Sequence, residues 1–264
     1  MNGPVARVQA DRLRSLHRRG DPLVLANVWD ATGARLVVEA GFAAVATTSL
    51  AVADSLGYAD HQQAPADEMF AAAARVARVV NVPVTVDAEA GYDLAPEPLV
   101  GRLIDCGAHG FNIEDTSHRA GSLLEPSVQA DKIAELRRVI DASEVPLVLN
   151  ARIDVFVGVT DPDAQLARVA DAVDRARWYV DAGADCVYPI LVSAPAALDA
   201  LMNALDGTWV NLLVRLGSDG TLPSLERVRE LGAVRASVEP GLWRGYRDRV
   251  VADLAKLTVG PGGT

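Results

Sequence analysis

Cysteine is nearly absent. The 264 residues hold two, Cys106 and Cys186, far apart in apolar stretches and without CxxC or Cys/His ligand spacing. A disulfide framework and a thiolate metal site are excluded, and two small buried thiols in a reducing compartment are expected. No run of 18 apolar residues occurs, so no membrane-spanning helix is expected. The polar N-terminus lacks the apolar core of a secretory signal, which makes a cytoplasmic location the expectation. Basic residues are in deficit: 25 Lys and Arg against 35 Asp and Glu give a net charge of −10. Nucleic acid and anionic membranes select basic surfaces and are not expected as partners. No GxGxxG follows the first strand pattern, which argues against an open doubly wound sheet.

What is present is an ordinary soluble composition, 50% hydrophobic and 23% charged. A chain of this length buries roughly 70–75% of its unfolded surface without disulfide or metal staples. Short β-branched runs alternate with helical patterns. The strands are expected at Leu23–Val28, Ala43–Thr48, Val82–Glu89, Gly110–Asp115, Pro146–Arg152, Cys186–Ile190, Trp209–Val214 and Val234–Val238. Helices are expected at Ala31–Ala40, Ala66–Val80, Pro96–Cys106, Val128–Ala142, Asp163–Ala182, Pro195–Leu205, Ser224–Leu231 and Leu242–Leu257, with an N-terminal helix at about 6–19. Strict alternation implies parallel strands and right-handed crossovers, and eight units imply an α/β fold of the (β/α)8 barrel type, one domain over residues 1–264. An acid–x–Gly repeat at Gly41, Gly107, Gly183 and Gly232 precedes strands, as left-handed helix ends require. Leu50–Ala64 and Thr116–Pro126 read as loops, the latter mobile, and the tail Gly260–Thr264 as frayed.

Barrel chemistry sits at the C-terminal strand ends. Side chains alternate along a strand, so Thr85, Asp87 and Glu89 share a face, as do Asn112 with Glu114, and Asn150 with Arg152 and Asp154. Asp60, Asp87, Glu89 and Glu114 can then converge. Crowded carboxylates raise each other's pKa or recruit a cation, and oxygen ligands suit Mg²⁺ or Mn²⁺. Arg152 offers a permanent planar fork for a carboxylate or phosphonate. Metal plus Arg is what stabilising an enolate requires. Asp30, Asp54 and Asp115 read as turn or helix caps, His17 and His61 as surface residues, and Trp178, Trp209 and Trp243 as packing residues. Trp29 and Tyr92 are candidate pocket linings.

Thr47–Leu50 with Leu56–Asp60, Val86–Tyr92, Gly110–Asp115 and Asn150–Asp154 together resemble the isocitrate lyase/phosphoenolpyruvate mutase superfamily, in order from about Asn27 to about Gly245. The resemblance implies a (β/α)8 barrel, dependence on Mg²⁺ or Mn²⁺, and making or breaking a C–C or P–C bond beside a 2-oxo acid carboxylate. It also implies a homodimer or homotetramer in which dimers exchange the last helix. It assigns Asp87 as the main metal carboxylate, with Glu89, Glu114 and Asp60 acting partly through water. Arg152 would bind substrate carboxylate and enolate oxygen. Thr48, Ser49 and Leu50 match the segment that holds the oxo-acid carboxylate, Asn150 belongs to the matched substrate-site motif, and Trp29 matches an aromatic lining position.

Two departures stand out. The loop after the fourth strand carries a Lys-Lys-Cys-Gly-His motif in the lyases and Lys and Asn in the mutases and phosphonopyruvate hydrolases. Here it reads Glu114 to Leu123 with neither Cys nor Lys. His118 and Arg119 are the candidate substitutes, His118 titrating near neutrality, or they are simply exposed loop residues. The sixth strand end, Val187–Ile190, lacks the Glu or His-Ser of better-defined branches. The expected activity is a Mg²⁺-dependent lyase or oxaloacetate-type hydrolase working through an enolpyruvate-like intermediate. The alternatives are a phosphonopyruvate mutase or hydrolase and a non-catalytic 2-oxo acid binder.

Overall fold

Gly41, Gly107, Gly183 and Gly232 have φ of 90, 85, 103 and 74° in the computed structural model, so the acid–x–Gly repeat does mark left-handed helix ends. The structure describes residues 3–217, 220–238 and 240–258; the tail Gly260–Thr264 lies outside them.

The chain begins with α1 (Gly3–Ser15), two short strands β1 (Leu23–Leu25) and β2 (Asn27–Val28), and α2 (Ala31–Glu39). Next come β3 (Val45–Thr47), α3 (Ser49–Leu56), α4 (Ala66–Ala77), β4 (Val84–Asp87), α5 (Pro96–Asp105) and β5 (Gly110–Glu114). A hairpin follows, β6 (Thr116–Ser117) and β7 (Ser122–Leu123), then α6 (Pro126–Ala142), β8 (Val148–Ile153), α7 (Pro162–Ala167) and α8 (Val169–Asp181). The last units are β9 (Cys186–Pro189), α9 (Pro195–Ala204), β10 (Asn211–Val214), α10 (Leu225–Glu230), β11 (Arg235–Val238) and α11 (Gly241–Thr258).

Parallel ladders run β2-β3-β4-β5-β8-β9 and β1-β11-β10. A single bridge, Val187 to Val210, links β9 to β10, while β1 and β2 are successive pieces of one strand interrupted at Ala26. The two ladders therefore complete a (β/α)8 ring with two seams. Buried Val, Leu, Ile and Ala from the helices and strands form the core outside it.

The boundaries depart from expectation in places. Leu23–Val28 is two strands because its halves pair with different neighbours, β11 and β3. Asp163–Ala182 breaks at Arg168: buried Gln165 fixes α7 by accepting from Ser193 and Ala194 N–H and donating to Val159 O. Leu50–Ala64 is not all loop, since α3 buries Ala51, Val52 and Ala53 and ends at Gly57 with φ 90°. Thr116–Pro126 is not all loop: Thr116–Ser117 and Ser122–Leu123 pair as a hairpin, and Pro126 begins α6. The first helix spans Gly3–Ser15 rather than about 6–19. Trp178 is 53% exposed and so does not pack, whereas Trp243 is buried. Cys106 and Cys186 are free and buried, as expected. Among the described residues no helix is long and apolar enough to cross a membrane.

His17 is buried, contrary to its surface reading. Its ring stacks on Trp209 at 5.2 Å, and its Nδ1 lies 2.9 Å from Leu13 O. Burial and the charge of Arg235 lower its pKa from 6.5 to about 4. The unfolded chain thus binds the extra proton as pH falls from 6.5 toward 4, and stability present above that window is lost through it. Wild type should lose about 2 kcal/mol more unfolding free energy between pH 7 and pH 5 than His17→Gln does. Urea titrations at the two pH values test this; equal losses would contradict it.

Candidate active site

The acidic side chains gather at the C-terminal strand ends. Register places Asp87 of β4 opposite Asn112 of β5 and Asn150 of β8, and one residue pair higher Glu114 lies opposite Arg152 and Arg152 opposite Tyr188. Asp87 Oδ2 accepts from Ser49 N–H at 3.2 Å and Ser49 Oγ at 2.8 Å, while its backbone N–H donates to Thr47 Oγ1 at 3.0 Å. Its other oxygen, Oδ1, is buried without a hydrogen-bond partner.

Glu89 is 3% exposed and sits at φ 47°. It accepts from the Gln62 N–H and, at 3.3 Å, from Tyr92 OH. Burial, then the charges of Asp87, Asp60 and Glu114, push its pKa up to about 8 despite the Gln62 hydrogen bond. His61, Gln62, Tyr92 and Asp93 also have positive φ. With Glu89 they hold unfavourable backbone conformations on the two loops that wrap this corner, a concentration typical of functional sites.

Glu114 is divided between Arg152 and His118. Oε2 meets Arg152 Nη1 at 2.6 Å and Oε1 meets His118 Nε2. The hydrogen bond to Glu114 raises the His118 pKa. Asp154 grips the other edge of Arg152, Oδ1 to Nε at 2.6 Å and Oδ2 to Nη2 at 3.1 Å. Burial opposes the Arg152 charge, but Asp154 and Glu114 outweigh it and hold its pKa above the usual guanidinium value. Asp154 is itself fixed, through Thr116 Oγ1 at 2.6 Å and through its N–H on Asp115 Oδ1 at 2.9 Å. Tyr179 OH and Arg175 lock Asp115 from α8 at 2.7 and 3.1 Å. Asp115 is thus a buried hub rather than a cap. Asp54 is not a cap either: it accepts from Trp243 Nε1 and Arg247, tying α3 to α11. Asp30 does cap α2, accepting from Gly33 N–H at 2.7 Å.

Asp60, Asp87, Glu89 and Glu114 therefore share one electrostatic neighbourhood but not one coordination sphere. Among the described residues no three Asp, Glu, His or Cys side chains meet closely enough to hold an ion directly. Thr48, Ser49 and Leu50 open α3 at this corner, with Ser49 committed to Asp87. Asn150 lies a residue pair lower, fully buried and donating to Asn112. Trp29 packs against Trp243 and Tyr246 of α11, at 4.8 and 5.7 Å. Exposed Arg119 lines a cleft of about 290 Å³ with His61, His118 and Lys132. Sequence reading assigned Asp154 no role beyond the face it shares with Arg152, read Asp115 as a cap, and did not single out Arg175 or Tyr179. Only Asp154 had a signal, its period-two spacing from Arg152.

The sequence profile described as phosphoenolpyruvate phosphomutase matches residues 13–258. An uncharacterised protein of Mycobacterium tuberculosis is 34% identical over 70% of this chain and 67% of its own length. A probable 2-methylisocitrate lyase of Corynebacterium glutamicum is 30% identical over 72% of this chain and 62% of its own. The crystal structure of a putative phosphonomutase from Burkholderia cenocepacia superposes with a TM-score of 0.84 at 33% identity, covering 95% of this chain and 99% of that one. With its barrel, its strand-end carboxylates and a profile match over nearly its whole length, the chain belongs to the phosphoenolpyruvate phosphomutase family of the isocitrate lyase/phosphoenolpyruvate mutase superfamily.

Proposed function

We propose that this chain is a Mg²⁺- or Mn²⁺-dependent enzyme that makes or breaks a C–C bond next to a 2-oxo acid, as a lyase or an oxaloacetate-type hydrolase, through an enolpyruvate-like intermediate. The observation that carries the reading is the pairing of a rigid Arg152 with the partnerless, buried Oδ1 of Asp87 in the same field. A buried carboxylate oxygen without a donor fits a hard cation. Asp87 would ligate it directly, with Glu89, Glu114 and Asp60 holding it through water. Bound there, the ion would polarise the substrate oxygen and stabilise the enolate.

The protein's own groups do the rest. Arg152, locked between Asp154 and Glu114, presents a preorganised cation to the substrate carboxylate and enolate oxygen, so little reorganisation accompanies charge development. The first turn of α3 adds the Leu50 N–H at the same corner, since the Thr48 and Ser49 N–H groups are given to Val28 O and Asp87. His118, on the β6–β7 hairpin beside Glu114, would carry a proton to or from the substrate carbon, with Arg119 at the cleft mouth. The putative phosphonomutase relative supports phosphonopyruvate cleavage or rearrangement as the second reading. In the homodimer or homotetramer the reading carries with it, α11 would pack on a partner chain.

A release screen with Mg²⁺ over malate-type acids, oxaloacetate and phosphonopyruvate separates the readings. Pyruvate or another 2-oxo acid from the carbon acids supports the first, and phosphate or phosphoenolpyruvate from phosphonopyruvate supports the second. Binding of oxalate, an enolate mimic, without turnover of any of them would leave a non-catalytic binder. With the substrate in hand, His118→Gln should lower turnover by about 10²-fold. An unaltered rate would make His118 a bystander.

A further inference from the structure

Arg235 begins β11, and it is 1% exposed. Its Nη2 donates to Asn112 Oδ1 at 3.0 Å. Nε and Nη1 find no acceptor, and among the described residues no carboxylate pairs with this guanidinium. A buried charge without a partner is costly, and an aliphatic side chain would fill the position without that cost. A compensating anion is therefore called for.

Its position says which one. Asn112 lies level with Asp87 and Asn150, one residue pair below Glu114 and Arg152, with Tyr188 next to Arg152. The guanidinium reaches across the bore from β11 to Asn112, directly under the floor of the acidic site. Asn150 Oδ1, Asn211 Oδ1 and Thr85 Oγ1 are also buried there without partners. Burial lowers the Arg235 pKa, opposed by Cys186, Tyr188 and Asp87, so Asp87 is within reach of its field.

We propose that Arg235 is a positioning residue for the bound anion: a fixed positive charge beneath the floor, acting through Asn112, whose counter-charge arrives with the substrate carboxylate and enolate above it. This rests on the reading of the site as one for a 2-oxo acid anion. Arg152 touches the ligand and Arg235 does not. Its field has a definite sign. It favours an anion in the site and disfavours a divalent cation beside Asp87.

The test uses full-length Arg235→Met and Arg235→Lys, with Mn²⁺ alone and oxalate under saturating Mg²⁺ as calorimetric probes, and thermal unfolding alongside. Arg235→Met should melt at or above wild type, bind oxalate about tenfold more weakly and bind Mn²⁺ more tightly. Arg235→Lys should recover most of the oxalate affinity. A merely structural role predicts a lower melting temperature and losses in the same direction for both probes. That pattern, or unchanged affinity for both, overturns the proposal. Should Arg235→Met not fold, Arg235→Gln carries the same comparison. If wild type binds no oxalate, the 2-oxo acid reading fails, and the Mn²⁺ comparison still decides Arg235: unchanged affinity overturns it.

Discussion

Asp87→Ala should abolish Mg²⁺-dependent binding of oxalate while the barrel stays folded. The side chain it removes offers the one buried carboxylate oxygen of the corner that has no hydrogen-bond donor. Glu89 is occupied by Gln62 and Tyr92, and Glu114 by Arg152 and His118, so neither can step in as a direct ligand without breaking buried contacts. Two hydrogen bonds from Ser49 are lost, but so is a negative charge that strains Glu89. The net change in stability should therefore be small. Calorimetry with oxalate, with and without Mg²⁺, reads the result against an unfolding curve. Oxalate affinity equal to wild type in a folded variant would remove the metal assignment.

The second large effect belongs to Arg152. Arg152→Lys keeps a charge but loses the planar fork that Asp154 and Glu114 clamp from two sides. Catalytic efficiency on the substrate found by the release screen should fall by about 10²–10³-fold, as when one preorganised donor to a developing oxyanion is removed. Arg152→Ala does something different. It leaves Glu114 and Asp154, 2% and 5% exposed, as like charges with no cation between them. That variant should be destabilised by about 3–5 kcal/mol, the cost of breaking a buried ion pair from one side. Arg152→Lys with wild-type efficiency would show that Arg152 serves the fold alone.

The parts of this architecture that repeat were legible in the sequence. Strand alternation located each rung to within a few residues, and the acid–x–Gly endings anticipated four left-handed glycines. Asp87, Glu114 and Arg152 fell on strand ends because side-chain alternation is rigid over a few residues, whereas Glu89, expected on the same strand, lies beyond β4 at φ 47° and is positioned by the turn. What stayed hidden depends on distance across the fold. Whether Asp115 caps a turn or anchors Asp154 is decided by Tyr179 and Arg175, more than 50 residues away. His17 looks like a surface residue until Trp209 is laid on it. Leu50–Ala64 hid α3 because its helix is short and its apolar face meets Met69 and Ala72 from the following helix. Thr116–Pro126 has no apolar pattern, yet it is held by Arg175 on Leu124 O and by its own antiparallel pairing.

The two seams of the ring have a consequence for how the site comes together. β4, β5 and β8, with every acidic group and Arg152, belong to the six-stranded arc, whereas Arg235 rides on the three-stranded one. An arc that forms first therefore assembles mutually repelling carboxylates without the cation that will lie beneath them. Closing the ring is what sets the Arg235 charge beneath them, so the electrostatics of the chamber depend on the two arcs being joined.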